Sequence, residues 1–250
     1  ARNELSMAKV HVAEALHRNS SRADRPFVKM NCAALHESLL ESELFGQERG
    51  AFTGADRQRT GRFELANEGT LFLDELPSLS LALQAKVLTA LEDHKIRRVG
   101  GNKPIAVDVR LLAATSQDLR QLVASRQFRE DLYHRLDLFR LRLPPLRERR
   151  QDIPLLVEHF LRLFSEEMKR KTPTFAPDAL DSLLEYDFPG NVRELKNIAE
   201  RALILSGGQT IERRHVQLSE LTRPSQPAVP AAAPALDSLL AQSDFVTLHV

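Results

Sequence analysis

The chain has 250 residues, 42% hydrophobic and 28% charged, which is enough for one large domain or two small ones with sizeable cores. Its 35 basic and 34 acidic residues give a net charge of +1, which excludes a nucleic-acid binder driven by overall charge, though not a local basic patch. A single cysteine, Cys32, excludes an intrachain disulfide and a zinc site built from several cysteines. No apolar run approaches the ~20 residues of a membrane helix, and the N-terminus lacks the apolar core of a signal peptide, so we expect a cytoplasmic protein with no membrane contact.

The first part of the chain alternates helical and strand patterns. Helices are predicted over 7–18, 36–45, 79–92 and 117–138, and strands over 26–32, 69–75 and 107–116. Strands that alternate with helices predict an α/β domain with a mostly parallel sheet.

After Leu143-Pro144-Pro145-Leu146 the strand pattern stops. Helices are predicted over 152–169, 177–186, 190–205 and, briefly, 211–218, with Asn191 as the cap of the third. The Pro- and Ala-rich residues 223–235 predict an extended, poorly ordered linker. We therefore expect an α/β domain over 1–146, a small all-helical domain over 147–221 and a linker with an unassigned tail over 222–250.

An apolar run, Thr70-Leu71-Phe72-Leu73, ends on two adjacent acids, Asp74 and Glu75. Ligands of open α/β sheets bind beyond the carboxyl ends of the strands. There Asp74 could hold a Mg²⁺ ion and Glu75 could orient or deprotonate a water molecule. The equally weighted alternative is a strand that ends in a solvated Asp-Glu turn.

Two glycines, Gly50 and Gly54, flank Ala51-Phe52-Thr53. Glycine permits backbone conformations that other residues avoid, so this stretch predicts a loop with Phe52 at its tip. An aromatic residue on a loop tip indicates a contact with a partner. The alternative is a loop that folds Phe52 back onto its own domain.

The six residues Gly50-Ala51-Phe52-Thr53-Gly54-Ala55 resemble the GAFTGA signature of sigma-54-dependent bacterial enhancer-binding proteins, AAA+ ATPases that remodel RNA polymerase holoenzyme. The resemblance runs from about Val12 to Leu218 and includes the stretches 41–55, 69–75, 128–136, 143–153 and 188–197. It implies an AAA+ three-layer sandwich with a parallel sheet, followed by a helical lid domain. It also implies ATP and Mg²⁺ as cofactors, a homo-oligomeric ring expected to be a hexamer, and the sigma-54 RNA polymerase holoenzyme as partner.

The resemblance also implies roles for individual residues. Asp74 and Glu75 match the acids that bind Mg²⁺ and activate water, and Asn31 matches an amide that pairs with that glutamate. Arg129 and Arg135 match arginine fingers that reach a neighbouring subunit's nucleotide, although the residues alone favour two surface arginines paired with Glu130 and Asp131. Three further matches are implied to bind nucleotide, at Lys9, Ser116 and Arg193. The loop Gly50–Ala55 is implied to touch the sigma factor.

The chain departs from this family at the phosphate-binding loop. Lys9 falls where the loop lysine belongs, but Asn3, Ser6 and Ala8 replace the glycines whose backbone would wrap the phosphates, and the sequence favours an ordinary surface lysine. The strand that leads into this loop is also missing before Ala1, which predicts a gap in the sheet with unpaired backbone groups. Ser116 replaces an asparagine and is expected to fall short of the γ-phosphate, and Phe188 replaces a tryptophan.

The tail departs as well. No helix-turn-helix is found, so DNA binding is expected only through a domain absent from the chain. Leu236–Val250 resembles a short segment of D-2-hydroxyacid dehydrogenases, and its last six residues form a strand-prone run with no visible partner.

These departures leave several hypotheses. We favour descent from a sigma-54-activating ATPase with impaired nucleotide binding. The alternatives are a binding module for sigma-54 or for self-association without chemistry, a nonfunctional fragment, and, with least support, a dehydrogenase.

Overall fold

The computed structural model describes residues 5–52, 55–218 and 245–249, and describes residues 5–8 and 245–249 by their backbone. Contacts divide the chain into two compact units, an α/β unit of residues 6–143 with 245–249 and a helical unit of residues 144–218. The helices are α1 (Leu5–Arg18), α2 (Glu37–Phe45), α3 (Arg62–Leu65), α4 (Leu81–Asp93), α5 (Leu119–Ala124), α6 (Glu130–Leu136), α7 (Ile153–Glu167), α8 (Pro177–Glu185) and α9 (Asn191–Leu205). The strands are β1 (Phe27–Asn31), β2 (Thr70–Asp74), β3 (Lys95–Ile96), β4 (Ile105–Ala106), β5 (Arg110–Thr115), β6 (Arg140–Arg142) and β7 (Phe245–His249).

A five-stranded parallel sheet organises the α/β unit, with the strand order β1-β2-β5-β7-β6. Asn31 of β1 lies beside Asp74 of β2, which lies beside Ala114 of β5. Because all strands run in one direction, these residues meet at the carboxyl edge of the sheet. The prediction of a parallel α/β sheet is confirmed.

The predicted gap in the sheet is wrong, and so is the prediction that the tail strand has no partner. Strand β7 pairs in parallel with β5 from Leu111↔Phe245 to Thr115↔His249. Its other edge pairs with β6, from Arg140↔Thr247 to Arg142↔His249. An apolar run with β-branched residues suits a strand flanked on both edges, and β7 lies between β5 and β6.

Both faces of the sheet are covered by apolar side chains. On one face Ala13 of α1 packs against Phe72 and Ala114. On the other face Leu73 and Ala113 join the main core formed with α2, α4 and α6. Since successive strand residues point to opposite faces, each central strand contributes to both layers, as a three-layer arrangement requires.

The helix predicted over 117–138 is two helices. Helix α5 ends at Ala124, Arg126 has φ of +58°, and the backbone N–H groups of Gln127 and Phe128 both donate to the carbonyl of Leu122. Phe128 is thereby buried. Burial of this aromatic ring accounts for the break, which the helical pattern of the flanking residues does not show.

The helical unit packs α7, α8 and α9 around a core that includes Phe160, Leu183 and Ile198. The predicted cap at Asn191 is wrong. Asn191 is the first residue of α9, has φ of +52°, and accepts a hydrogen bond from the N–H of Leu146 through its side chain. The predicted helix over 211–218 is a single 3₁₀ turn at Arg213–His215.

Within the parts of the chain that the structure describes, no helix combines the length and the apolar character needed to cross a membrane.

Candidate functional site

Two carboxylates and an amide meet at the carboxyl edge of the sheet. Asp74 ends β2 and is 3% exposed, and Asn31 ends β1. The Nδ2 of Asn31 donates to Oδ2 of Asp74 at 3.4 Å, while Oδ1 of Asn31 accepts from the N–H of Ala33. The amide therefore contacts Asp74, and the pairing of Asn31 with Glu75 that the resemblance implies is not what the structure shows.

Glu75 leaves the strand in a strained conformation. Its backbone has φ of 54° and ψ of 48°, a left-handed conformation that non-glycine residues rarely adopt. Such strain clusters at functional sites, where the surrounding structure enforces it. Here it turns the Glu75 side chain back over the end of the sheet, where it contacts Lys9 and Ser116.

Lys9 is not a surface residue, so this expectation is wrong. It is 1% exposed, and its Nζ lies 2.9 Å from Oε1 of Glu75 and 3.6 Å from Oδ1 of Asp74. An ammonium group is stable in such a buried position only when counter-charges surround it. The two carboxylates supply those charges.

Ser116 occupies the other side of Glu75. Its Oγ donates to Oε2 of Glu75 at 3.0 Å. Lys9 and Ser116 together engage both carboxylate oxygens, so Glu75 is held from two sides. Ser116 therefore reaches the carboxylate that the resemblance assigns to water activation, despite its short side chain.

Asp74 keeps one oxygen without a hydrogen bond. Its Oδ1 is fully buried and has no hydrogen-bond partner, and the ammonium of Lys9 lies 3.6 Å from it. Carboxylate oxygens are the ligands that Mg²⁺ prefers, and Mg²⁺ commonly takes one or two of them together with water and phosphate oxygens. Asp74 thus fits a divalent cation that completes its coordination with other oxygen ligands. Among the described residues, no group of three or more His, Cys, Asp or Glu side chains could hold a metal ion by itself.

Asp74 fits a cation, but the residues that align with the phosphate-binding loop do not form the expected loop around a nucleotide's phosphates. The residues that align with the phosphate-binding loop are 3–9. Because α1 begins at Leu5, residues 5–9 of this stretch are helical. The N–H groups of a helix's first turn can donate to an anion beyond its N-terminus, but a loop that wraps a phosphate from several sides needs non-helical backbone. Asn3 lies outside the described residues. The described part of this stretch therefore forms no phosphate cradle.

Cys32 directly follows Asn31, the last residue of β1, near the carboxylates of Asp74 and Glu75. It is buried, and burial together with the negative charges of Asp74 and Glu75 raises the pKa of its thiol to about 12. The thiolate is the reactive form of cysteine. Cys32 therefore serves packing, as its position at a strand end indicates.

The two arginines implied to act as fingers are engaged within the chain. Arg129 precedes α6 and forms a two-point contact with Asp131, with Nε–Oδ1 at 3.0 Å and Nη2–Oδ2 at 2.6 Å. This pair raises the pKa of Arg129 and lowers the pKa of Asp131. Arg135 donates from Nη2 to the carbonyl of Leu91 at 3.4 Å. Arg193 is half-buried in the first turn of α9, in the helical unit.

The glycine-flanked loop is closed by its own backbone. The N–H of Gly50 donates to the carbonyl of Ala55 at 2.8 Å, and the N–H of Ala55 donates to the carbonyl of Phe52 at 2.9 Å. Ala55 is buried at the base, whereas Phe52 is 43% exposed. Thr53 and Gly54 lie outside the described residues. The structure thus places Phe52 at the surface, as the loop pattern predicts.

Sequence reasoning missed the contacts of Lys9 with the carboxylates. One signal was present: Lys9, Ala13 and His17 follow one another at intervals of four, and all three are buried. Residues four apart share one face of a helix. The buried face of α1 therefore includes Lys9.

Comparisons with known proteins place the chain in a family. The sigma-54 interaction domain matches residues 4–142, and the AAA+ ATPase lid domain matches residues 147–233. The transcriptional regulatory protein ZraR of Salmonella typhimurium is 53% identical over 213 residues, which cover 85% of this chain and 48% of that protein. The Nif-specific regulatory protein of Bradyrhizobium diazoefficiens is 53% identical over 88% of this chain and 38% of its own length. The chain spans about half the length, or less, of these relatives.

Solved structures of related proteins show a similar fold. The crystal structure of NtrX from Brucella abortus in complex with ATP has a TM-score of 0.77 and 38% sequence identity, covering 84% of this chain and 48% of that protein. A second structure of NtrX from Brucella abortus has a TM-score of 0.76 and 41% identity, over 80% of this chain and 45% of its own. The parallel sheet, these neighbours and the lid match confirm the predicted AAA+ fold class.

Proposed function

Because the chain belongs to the family of AAA+ proteins defined by the sigma-54 interaction domain, we propose that it is the sigma-54-contacting domain of a transcriptional activator and uses ATP to remodel the sigma-54 RNA polymerase holoenzyme. The observation that carries the proposal is the convergence of Lys9, Asp74, Glu75 and Ser116 at the carboxyl edge of the sheet. Ligands of such sheets bind at that edge. RNA polymerase works in the cytoplasm, where we place this activity.

The carboxylates have distinct tasks in this proposal. Asp74 would hold Mg²⁺ through its buried Oδ1, which has no hydrogen-bond partner. Glu75 would orient the attacking water once its contacts with Lys9 and Ser116 are released. Mg²⁺–ATP, when bound, supplies the phosphoanhydride bond whose hydrolysis drives remodelling. That one of the solved neighbours was crystallised with ATP supports nucleotide as the ligand.

One observation favours a second candidate, a sigma-54-binding module that does not turn over ATP. The stretch before Lys9 is helical, and the Lys9 ammonium already pairs with both carboxylates, Asp74 and Glu75. In this conformation the chain offers no described phosphate cradle. Binding of sigma-54 through the Phe52 loop would then be independent of nucleotide.

Assembly into a homo-oligomeric ring, with a hexamer as the expected size, belongs to the first candidate. Arg129 and Arg135 would serve a neighbouring subunit's nucleotide only after leaving their present partners. Exchange of Asp131 for a phosphate group is chemically reasonable, because a guanidinium binds both in the same two-point geometry. Arg193 would contact nucleotide from the lid. In this scheme ATP hydrolysis per subunit rises with protein concentration.

One measurement separates the candidates, and a second tests what they share. Calorimetric titration of Mg²⁺–ATP into Glu75→Gln, which cannot turn over, should show micromolar binding under the first candidate and none under the second. Purified sigma-54 should bind the wild-type chain under both candidates.

The variant Phe52→Ala should lose sigma-54 binding, whereas Leu138→Ala, which truncates another exposed apolar side chain of the same unit, should retain it. A folded wild-type chain that fails to bind sigma-54, with and without Mg²⁺–ATP, would overturn both candidates.

A further inference from the structure

A buried glutamine links helix α4 to the segment that precedes α6. Gln84 lies in the first turn of α4 and is 0% exposed. Its Nε2 donates to the carbonyl of Leu79 at 2.8 Å and to the carbonyl of Gln127 at 3.2 Å. Its Oε1 accepts a hydrogen bond from the backbone N–H of Arg129 at 2.8 Å. Two acceptors and one donor thus match the two ends of the amide, and all three are backbone groups outside α4.

Gln84 stands among apolar side chains. The other buried residues of α4 are all apolar: Leu83, Val87, Leu88, Ala90 and Leu91. A leucine or methionine would fill the same space, whereas an amide in such surroundings is stable only when its polar atoms are hydrogen-bonded. What Gln84 adds to the core is therefore its set of hydrogen bonds to particular backbone groups.

The bond to Arg129 fixes the backbone from which a surface side chain projects. Phe128 is buried, whereas the side chain of Arg129 is 39% exposed. Arg129 caps the start of α6, and its carbonyl accepts from the N–H of Tyr133. The first N–H groups of a helix have no partner within the helix. Here the side chain of Gln84 supplies that partner, so Arg129 is held by Gln84 on one side and by α6 on the other.

The guanidinium of Arg129 has a partner that it can exchange. Asp131 holds it at the surface, where the two side chains are 39% and 45% exposed. An ion pair this exposed contributes little to stability, so the guanidinium can leave Asp131 for another anion at small cost. The bond to Gln84 belongs to the backbone and remains in place during such an exchange.

We propose that Gln84 is a positioning residue for Arg129, because its side-chain oxygen anchors the backbone from which the guanidinium reaches a neighbouring subunit's nucleotide. This inference rests on the proposed function, in which Arg129 acts on the nucleotide of another subunit. A displacement of about 1 Å in a catalytic group can cost roughly a hundredfold in rate. Loss of the anchor should therefore slow turnover and leave the subunit's own carboxylates, Asp74 and Glu75, unchanged.

The first test is structural and needs no nucleotide. In the full wild-type chain, the backbone amide of Arg129, followed by NMR, should exchange slowly with deuterium because Gln84 accepts its hydrogen. In Gln84→Met, which keeps a side chain of similar length and removes the amide, this exchange should be roughly tenfold faster. The matched control is Thr70→Val, which removes a buried hydrogen bond to His17 at the other end of β2 and should leave the exchange of Arg129 unchanged.

Fast exchange of the Arg129 amide in the folded wild type would overturn the proposal, and this measurement decides even if Gln84→Met does not fold. Unchanged exchange in a folded Gln84→Met chain would overturn it as well.

The second test measures ATP hydrolysis at a protein concentration where the rate per subunit no longer rises. Gln84→Met should lower kcat by roughly ten- to hundredfold. Its KM for ATP should stay within about twofold of the wild type, because none of the hydrogen bonds of Gln84 goes to the carboxylates of the site. Thr70→Val should hydrolyse ATP like the wild type. The double variant Gln84→Met/Arg129→Ala should be no slower than Arg129→Ala, because Gln84 acts through Arg129.

The outcomes distinguish this inference from the proposed function. If the wild type hydrolyses ATP and Gln84→Met keeps its kcat, the inference is wrong and the proposed function stands. The same holds if Gln84→Met slows the Arg129→Ala variant by as much as it slows the wild type. If the wild type hydrolyses no ATP, the proposed ATPase function is wrong, and the role of Arg129 and the role of Gln84 are wrong with it.

Discussion

Replacement of Lys9 by methionine removes the buried cation of the site while keeping its aliphatic stem. Lys9 and Asp74 have side chains 1% and 4% exposed, whereas Glu75 is 24% exposed. Loss of one partner from a buried ion pair costs ~3–5 kcal/mol because the remaining charge stays buried and uncompensated. Since Glu75 retains access to water, we expect the lower end, about 3 kcal/mol in the free energy of unfolding. For a unit of this size that lowers the Tm by about 10 °C.

The matched control is Lys29→Met, which removes a surface ion pair. Lys29 lies 2.8 Å from Glu14 and its side chain is 49% exposed, so its loss should cost at most ~1 kcal/mol. Urea unfolding followed by far-UV circular dichroism measures both variants. Added Mg²⁺ should recover part of the stability of Lys9→Met, and should not do so when Asp74→Asn is also present. If Lys9→Met loses no more stability than Lys29→Met, the buried ion pair is not the interaction we describe.

Three further outcomes are expected. Because burial raises the pKa of the Cys32 thiol to about 12, Cys32 should resist a thiol reagent at pH 8 in the folded protein and react in urea; reaction without urea would contradict this. His17 is buried against Thr70 and desolvation lowers its pKa, so the unfolded chain binds more protons, and stability should fall as the pH drops below ~6.5, a loss that His17→Gln should reduce. Gly46→Ala should lower the free energy of unfolding by about 3 kcal/mol, because φ is +81° and the added Cβ would lie 2.6 Å from the carbonyl oxygen of Arg59. Gly207 also has positive φ, but its surroundings are open, so Gly207→Ala should cost ~1 kcal/mol in the same urea assay.

Most of the secondary structure could be predicted because it depends on local pattern. The apolar run over 69–75 contains the predicted strand, Thr70–Asp74, and the alternative of a solvated Asp-Glu turn is wrong because Asp74 is buried. The glycine-flanked loop exposes Phe52, as expected. The helix over 117–138 was predicted as one element because its periodicity continues across the break, and only the burial of Phe128 divides it.

The candidate site could be predicted in part. Asp74 and Asn31 meet because both end adjacent parallel strands, and the order of strands in an α/β sheet brings such ends together. The partner of Asn31 was predicted as Glu75 and is Asp74, because the left-handed backbone of Glu75 turns its side chain toward Lys9 and Ser116. That turn depends on contacts from α1 and from the end of β5, which no local pattern contains.

The sequence by itself determined the elements that follow from neighbouring residues: the amphipathic helices, the buried strands, the acids at the end of β2 and the exposed loop. Periodicity and turn chemistry act over a few residues, so these features are readable without a fold. Only the tertiary structure decided that Lys9, 66 residues before Glu75, is its buried counter-ion. It also decided that the tail segment Phe245–His249 lies between β5 and β6 in the sheet. The Lys9–Glu75 contact and the pairing of the tail strand both join residues far apart in the sequence. Which charges and strand edges need such distant partners is set only once the rest of the chain has packed, so these contacts are properties of the whole fold.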